Sequence, residues 1–296
     1  MKYDKINLFD ILNIIGMILI SFAMLYPILY VFSVSISDLM AIQQGRVKVL
    51  PVGFDLTAYR ITLANPDIWL AYYNTILYTL VGTVITVIWN LITAYPMSVK
   101  NFYGKNVIMV FFTITMFFSG GLIPNYLLIR NLGFIDTIWA IVLPGALSTW
   151  NIIIFRTNFQ QIPDSLYESA YCDGARRWTI LFRIAIPLSM PIIATITLFS
   201  VVGSWNSFYA PFIYLNSIDK YPLQVYLRNL IITRRMNTGH ISTVIQSRER
   251  GAADASGLLT AIQMATIIVS IGPIILVYPF LQKYFTKGVL IGSIKG

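Results

Sequence analysis

Residues 68–99 read IWLAYYNTILYTLVGTVITVIWNLITAYPMSV, a stretch of 32 residues without an Asp, Glu, Lys or Arg. Further charge-free stretches of 19 to 35 residues lie at 11–37, 106–129, 137–155, 184–218 and 255–282. A helix needs about 20 apolar residues to cross a bilayer. Inside lipid the backbone has to satisfy its own hydrogen bonds, so stretches of this length are expected to be helical. The pattern therefore predicts six transmembrane helices.

The composition supports a membrane protein over the soluble classes. Of the 296 residues, 57% are hydrophobic and 11% are charged, and the mean hydropathy is +0.71. Soluble domains carry about 25% charged residues. A disordered chain is excluded because it would have low hydrophobicity. A nucleic-acid-binding protein would carry its basic residues on a soluble core, so this class is excluded in spite of the net charge of +9. A buried helix of a soluble protein would explain one such stretch but not six.

The first stretch and the loop charges give the expected orientation. Residues 11–37 exceed the 7–15-residue apolar core of a signal peptide, so we interpret them as a retained anchor. With the N-terminus inside, the inside segments hold 11 Lys and Arg and the outside segments 10. The positive-inside rule states that Lys and Arg are enriched in cytoplasmic loops, and long loops carry little weight in this count. Without the 36-residue connection after Ile218 the ratio is 11 to 4, which predicts that both termini are cytoplasmic.

Residues that could drive chemistry or proton coupling are missing from the predicted spans. None of the six stretches contains an acidic residue or a histidine, and the chain has one histidine, His240, and one cysteine, Cys172. A proton-coupled carrier usually keeps an ionisable relay within the membrane, and a metalloenzyme needs clustered ligands. No GxxxxGK[ST] loop for binding phosphates is present. We expect no catalytic residue, metal or cofactor, and a partner has to supply energy for uphill transport.

The segment 156–187 is the most informative loop, and it reads RTNFQQIPDSLYESAYCDGARRWTILFRIAIP. Pro163 and Asp164 favour the start of a helix. An apolar face then recurs at helical spacing, at Leu166, Tyr167, Ala170 and Tyr171. Asp173-Gly174 predicts a turn, followed by a second helix from Ala175 to Ile186. The sequence predicts a bent amphipathic hairpin on the cytoplasmic face, with Glu168 and Asp173 available for docking.

This segment resembles the EAA loop of ABC importer permeases. The resemblance rests on Glu168-Ser169-Ala170, Asp173-Gly174-Ala175, Trp178 and Ile186-Pro187-Leu188. Gly174 lies six residues after Glu168, and Pro187 thirteen after Gly174; Ser169 departs from the more usual Ala. In that family the loop forms coupling helices that seat in a groove of the ATPase subunit. The residues that this resemblance implicates in coupling are Glu168, Ser169, Ala170, Asp173, Gly174, Ala175 and Pro187. An interfacial amphipathic loop is the alternative.

The resemblance covers most of the chain. Asn74-Thr75, Gly203-Ser204-Trp205-Asn206 and Tyr278-Pro279-Phe280 are similar to the maltose-type carbohydrate permeases, with the end of the chain similar to the smaller, MalG-like permease. In that class the tail reaches between the two ATPase subunits. The tail residues Lys287, Gly288, Gly292 and Lys295 would form a flexible basic strand for this purpose. A tail lying on the lipid surface is the alternative.

The resemblance implies one half of a type I importer with the MetI-like permease fold. Residues 1–67 would form an N-terminal transmembrane helix and an extracellular linker. Residues 68–296 would form a core of five helices, with the coupling loop at 156–187 and the cytoplasmic tail at 283–296. The implied partners are a second homologous permease, two ABC ATPase subunits, an extracellular solute-binding protein and the bilayer of a bacterial cell membrane. The alternative of a secondary carrier lacks its ionisable relay.

Two features suggest an oligosaccharide, and an acidic one. Sugars bind to aromatic faces and amides, and a group of such residues lies within the fifth stretch: Trp205, Asn206, Tyr209 and Phe212. The three aromatic residues have i, i+4, i+7 spacing, so they would share one helical face; packing between helices is the alternative. The long outside loop carries Arg234-Arg235 and Arg248-Glu249-Arg250, which suit uronates. The chain also resembles the permease branch for complex plant polysaccharide fragments. Docking to a binding protein or to anionic headgroups, or a neutral sugar substrate, remain alternatives.

Overall fold

The computed structural model describes the backbone of residues 8–232 and 252–293, and the side chains of 8–232 and 256–276. Every regular element in these ranges is helical, which confirms the all-α class. The α-helices are α1 (Leu8–Ser35), α2 (Leu39–Gln43), α3 (Thr57–Ala64), α4 (Pro66–Ser98), α5 (Lys105–Phe117), α6 (Leu122–Asn131), α7 (Trp139–Val142), α8 (Thr149–Gln160), α9 (Asp164–Cys172), α10 (Arg177–Ile180), α11 (Ile186–Leu188), α12 (Met190–Trp205), α13 (Tyr209–Tyr214), α14 (Leu223–Ile232) and α15 (Ala252–Ser293).

Three helices within the described residues are long and apolar enough to cross a membrane: α1, α4 and the part of α15 from Ser256 to Leu276. Two bent pairs also qualify if each counts as one span, which raises the number to five. The bend is 116° between α5 and α6, and 80° between Arg177–Leu188 and α12. The stretch 137–155 contains only α7 and the first half of α8. The multi-pass membrane character is confirmed, and the number six stays a prediction.

Glycine and proline lie where two of the charge-free stretches leave the helical conformation. The chain leaves α5 at Phe117 and resumes helix at Leu122, beyond Gly120-Gly121, and it leaves α7 two residues before Pro144. Proline removes a backbone donor and clashes with the preceding turn, and glycine weakens a helix. By contrast, Gly272-Pro273 lies inside α15 without ending it.

The described chain divides into two compact units. The first comprises Met1–Trp69 and Leu227–Pro273, and the second comprises Leu70–Tyr226 and Ile274–Gly296. In the first unit, α3 packs on α15 through a cluster of buried side chains, Ala58, Leu258, Ala261, Ile262 and Ala265. A Cβ atom on Gly257 would lie 2.6 Å from the carbonyl oxygen of Leu39. This close approach of α15 to α2 is therefore compatible with glycine alone.

The core of the second unit is centred on α8. Ile152, Phe155 and Phe159 are fully buried there, against residues of α4 and of the segment 164–196. The buried amide of Asn90 in α4 fixes the turn before α8, since its Nδ2 donates to Ala146 O at 2.8 Å and its Oδ1 accepts from Ser148 N at 3.0 Å. A buried polar group with satisfied partners specifies packing more sharply than an apolar one.

The tail differs from the sequence-based expectation. Instead of a flexible strand, the chain continues as α15 up to Ser293, and Lys287, Gly288 and Gly292 lie within this helix. Lys295 lies outside the described residues. The charge-free stretch ends at residue 282, but backbone hydrogen bonding does not depend on hydrophobicity, so a helix continues past the end of an apolar stretch.

Candidate functional site

The segment predicted to be a bent hairpin begins with α9, which is tied to neighbouring elements at its first turns. Asp164 forms an ion pair with Lys100 in the α4–α5 connection, and this contact raises the pKa of Lys100. The hydroxyl of Tyr167 donates to Phe159 O at 3.2 Å, and burial raises the pKa of Tyr167 to about 12. Tyr167 therefore stays neutral at physiological pH.

The predicted turn at Asp173-Gly174 is a complete Schellman motif. Ala175 N donates to Ala170 O at 2.9 Å and Gly174 N donates to Tyr171 O at 3.0 Å, the two bonds that define this helix end. Gly174 has φ +74°, in the left-handed region. A side chain at Gly174 would meet no atom within 4 Å. The requirement for glycine here is thus conformational rather than steric.

Burial separates the residues of this segment into two groups. Ala170 is 7% exposed and packs into the core around α8, with Ala175 half-buried beside the same core. A second group is exposed: Glu168, Ser169, Asp173, Gly174 and Pro187. The predicted apolar face is divided between these groups, since Leu166 and Tyr171 are exposed whereas Ala170 is not. Ala170 is an anchor of the segment, and the exposed group forms its surface.

The second predicted helix, Ala175 to Ile186, is present but irregular, and it runs from Arg177 to Leu188. The chain forms α10, then a π-helical turn at Leu181–Ala185, then α11. In the π-helical turn Ile186 N bonds to Leu181 O, five residues earlier. Pro187 has no backbone N–H group and cannot donate a hydrogen bond to the helix. The π-helical turn lies directly before the short helix α11 that contains this proline. Trp178 and Phe182 project from this part, 61% and 57% exposed, with stacked rings 6.2 Å apart.

The three aromatic residues predicted to line a sugar path, Trp205, Tyr209 and Phe212, do not share a helical face, so that part of the expectation is wrong, and their contact with a sugar stays a prediction. Helix α12 ends at Trp205, with Asn206 as its C-cap, and α13 begins at Tyr209. A continuous helix is disfavoured because Pro211 would clash with the carbonyl group of Ser207, four residues earlier. Trp205 is buried beside Tyr72, with ring centroids 6.4 Å apart, whereas Tyr209 and Phe212 are exposed. This placement favours the packing interpretation for Trp205.

Sequence reasoning missed a polar clasp between the α6–α7 connection and residues 214–220. The Asp136 carboxylate accepts hydrogen bonds from Asn216 N at 2.9 Å, from Ser217 N and Oγ at 3.0 and 2.6 Å, and from Lys220 Nζ at 2.7 Å. Together these donors hold the pKa of Asp136 well below its usual range, with Lys220 as the largest cause. The partners lie about 80 residues apart, and no local pattern signals such a pair.

The clasp changes how the charge of the loop predicted to lie outside is interpreted. Lys220 belongs to the same loop, and its ammonium group is paired with Asp136. The arginine clusters Arg234-Arg235 and Arg248-Arg250 lie outside the described residues. Among the described residues, no group of three or more His, Cys, Asp and Glu is placed to hold a metal ion.

The clasp is also joined to α4. Asn74 Nδ2 donates to Asp219 O at 2.7 Å, the Tyr78 hydroxyl donates to Lys220 O at 2.9 Å, and Thr75 Oγ1 accepts from Leu223 N at 2.8 Å. Asn74-Thr75 was part of the sequence resemblance, and in the structure both side chains form hydrogen bonds to the backbone of the segment 219–223. This segment is fixed on two sides, by Asp136 and by α4.

Comparison with known proteins agrees with the resemblance. Residues 68–291 match the family described as binding-protein-dependent transport system inner membrane component. The chain is 36% identical over 292 residues to the polygalacturonan/rhamnogalacturonan transport system permease protein YtcP of Bacillus subtilis, covering 99% of this chain and all of that protein. It is also 36% identical over 290 residues to protein LplC of the same organism, covering 98% and 96% of the two chains.

A solved structure gives the same result at the level of the fold. A chain of a bacterial ABC transporter involved in the import of the acidic polysaccharide alginate superposes with a TM-score of 0.88, at 36% identity, covering 96% of this chain and 99% of that one. These relatives are transport components and not enzymes. The chain therefore belongs to the family of binding-protein-dependent transport system inner membrane components, the permease subunits of ABC importers.

Proposed function

We propose that this chain forms half of the translocation pathway of an ATP-driven importer for oligosaccharides that contain uronate units. The observation that carries this proposal is the agreement of two relatives, each 36% identical over nearly the whole chain: one is named for polygalacturonan and rhamnogalacturonan, the other for alginate. Polygalacturonan and alginate are both polyuronates. Arginine forks suit carboxylates, so the clusters at 234–235 and 248–250 are the residues we assign to an acidic substrate or to the protein that delivers it.

Coupling to the ATPase is assigned to the surface around the Schellman motif. Glu168, Ser169, Asp173 and Gly174 are exposed there, and the turn is held from beneath by Ala170. The ion pair of Asp164 and the hydrogen bond of Tyr167 fix the other end of α9. A segment fixed at several points transmits a push from a docked subunit into the core around α8, because packed cores deform little.

The family description implies an importer that depends on a binding protein. We assign to this chain a second, homologous permease, two ABC ATPase subunits and an extracellular solute-binding protein. We assign both termini to the cytoplasm, on the same side as residues 156–187. This orientation puts the Asp136–Lys220 clasp on the outer side, where the binding protein would dock.

The coupling assignment is tested with Glu168→Lys, which reverses the charge of an exposed side chain and leaves the buried anchor intact. We expect unchanged membrane insertion, loss of ATPase subunits on co-purification, and uptake lowered by at least about tenfold, which corresponds to about 1.4 kcal/mol of lost docking energy. Asn101→Lys is the control, because it adds a positive charge at an exposed position in the α4–α5 connection. Normal uptake and co-purification of Glu168→Lys would show that coupling lies elsewhere.

A further inference from the structure

The second unit contains an open cavity of about 160 Å³ that none of the predicted site residues line. One wall is a single face of α4, at Thr75, Tyr78, Gly82 and Thr86. The opposite walls come from the end of α12 and the turn before α8, with Pro211 and Pro222 completing the lining. For scale, a cavity of about 150 Å³ accommodates a benzene molecule, so this space fits one six-membered ring.

The cavity is open because glycines, which have no side chain, form part of its lining. Gly145 and Gly203 line it, and a Cβ atom on either would meet nothing within 4 Å. A Cβ atom on Gly82 would be in ordinary contact with Ser204 Oγ and Val142 Cγ2, each at 3.7 Å. Larger residues at Gly145 or Gly203 would therefore occupy the cavity without displacing a neighbour.

The polar groups of the lining fall into two sets. The hydroxyls of Thr75 and Tyr78 are already used, the first by Ala71 O and Leu223 N and the second by Lys220 O. The hydroxyls of Thr86, Ser204 and Ser207 have no hydrogen-bond partner within the described part of the chain. Each can donate one hydrogen bond and accept two. The cavity thus presents unused donors and acceptors to whatever fills it.

None of the described residues that line the cavity is charged. A carboxylate entering it would lose solvation and meet no cation, which is costly, whereas a neutral hydroxyl would exchange water for protein hydroxyls at little cost. The favoured occupant is consequently uncharged, ring-sized and rich in hydroxyl groups.

We propose that this cavity is a subsite for one uncharged pyranose unit of the transported oligosaccharide, bound through the hydroxyls of Thr86, Ser204 and Ser207. The proposal rests on the function proposed above and adds to it a position that selects the neutral unit of a mixed chain. Uronate carboxylates would be recognised outside this cavity.

The test uses thiol protection in the assembled importer in lipid vesicles. Because Cys172 is the only cysteine of this chain, Cys172→Ser removes its thiol, and Ser204→Cys then introduces one thiol at the cavity; the partner subunits are used in cysteine-free form. A small methanethiosulfonate reagent then labels this thiol in the presence of D-galactose or D-galacturonate, which differ only in the C6 carboxylate. Ser200→Cys, one turn earlier in α12 and outside the lining, is the control.

We expect galactose to slow labelling of Ser204→Cys, galacturonate to do so at least about tenfold less effectively, and neither sugar to affect Ser200→Cys. Gly203→Ala should abolish the protection. Equal protection by both sugars, protection by neither, or a thiol that no reagent reaches would each overturn the proposal. Uptake of oligogalacturonide is measured in the same vesicles. If oligogalacturonide is taken up but galactose does not protect the thiol, the subsite alone is rejected. If there is neither uptake nor protection, the proposed function is rejected as well.

Discussion

At the scale of single residues, Gly174 determines, through its backbone alone, the turn in the segment that we propose to contact the ATPase. Its φ of +74° closes the Schellman motif, and the space around it is empty. An L-residue with a Cβ atom pays about 1–2 kcal/mol for this conformation. Asparagine tolerates it better than alanine does.

We therefore expect Gly174→Ala to lower ATP-driven uptake and co-purification of the ATPase, and Gly174→Asn to retain most of both. Because a Cβ atom at this position meets nothing within 4 Å and asparagine is the larger residue, lower activity of Gly174→Ala than of Gly174→Asn would report backbone strain and not bulk. Equal activity of Gly174→Ala and wild type would contradict a role for the left-handed turn.

A second prediction at this scale concerns the pH response of Asp136. Its folded pKa is depressed, so the clasp contributes stability above the unfolded pKa of about 3.9 and loses it as the pH falls further, toward the folded pKa. Asp136→Asn should cost about 1–2 kcal/mol at neutral pH, since Lys220 is partly solvated.

The measurement is the thermal midpoint of the purified permease in detergent at several pH values. The difference in thermal midpoint between wild type and Asp136→Asn should be constant from pH 7 to pH 5, and it should become smaller below about pH 4. A gap that narrows already near pH 6 would implicate another group.

At the scale of elements, glycine sets the distance between α2 and α15. The approach to the Leu39 carbonyl leaves no room for a Cβ atom on Gly257, and backbone cannot move aside as a flexible side chain does. We expect Gly257→Ala to destabilise the protein by about 1–3 kcal/mol, as overpacking does.

Gly16→Ala is the matched control, because Gly16 lies inside α1 with nothing within 4 Å and gains helix propensity. The thermal midpoint should fall for Gly257→Ala and stay level or rise for Gly16→Ala. Equal midpoints would show that α2 is free to move away from α15.

The elements also show where sequence reasoning succeeds. Charge-free stretches located α1, α4 and the apolar part of α15, because lipid burial leaves a strong and local signal in composition. They did not reveal the 116° bend between α5 and α6 or the end of α12 at Trp205. Proline and glycine indicate where a helix is weak, but neighbouring packing decides whether it breaks, as uninterrupted α15 demonstrates at Gly272-Pro273.

At the scale of the whole molecule, the sequence predicted the family from one loop but could not predict how the site is assembled. The turn at Gly174 could be predicted because a helix end of this type depends on a glycine at one position of the local sequence. The Asp136–Lys220 clasp and the hydroxyl-lined cavity join residues 84 to 147 positions apart, and such contacts leave no local pattern. The expectation that Trp205, Tyr209 and Phe212 share one helical face is wrong because the spacing assumed a continuous helix, whereas α12 ends at Trp205.

The importer built on this chain is proposed to carry uronate-containing oligosaccharides. The most direct measurement is substrate-stimulated ATP hydrolysis by the complete importer with its binding protein, comparing oligogalacturonides with maltodextrins of equal length. We predict that oligogalacturonides stimulate hydrolysis and that maltodextrins compete poorly for their uptake. Stimulation by maltodextrins that equals or exceeds that by oligogalacturonides would contradict the claim.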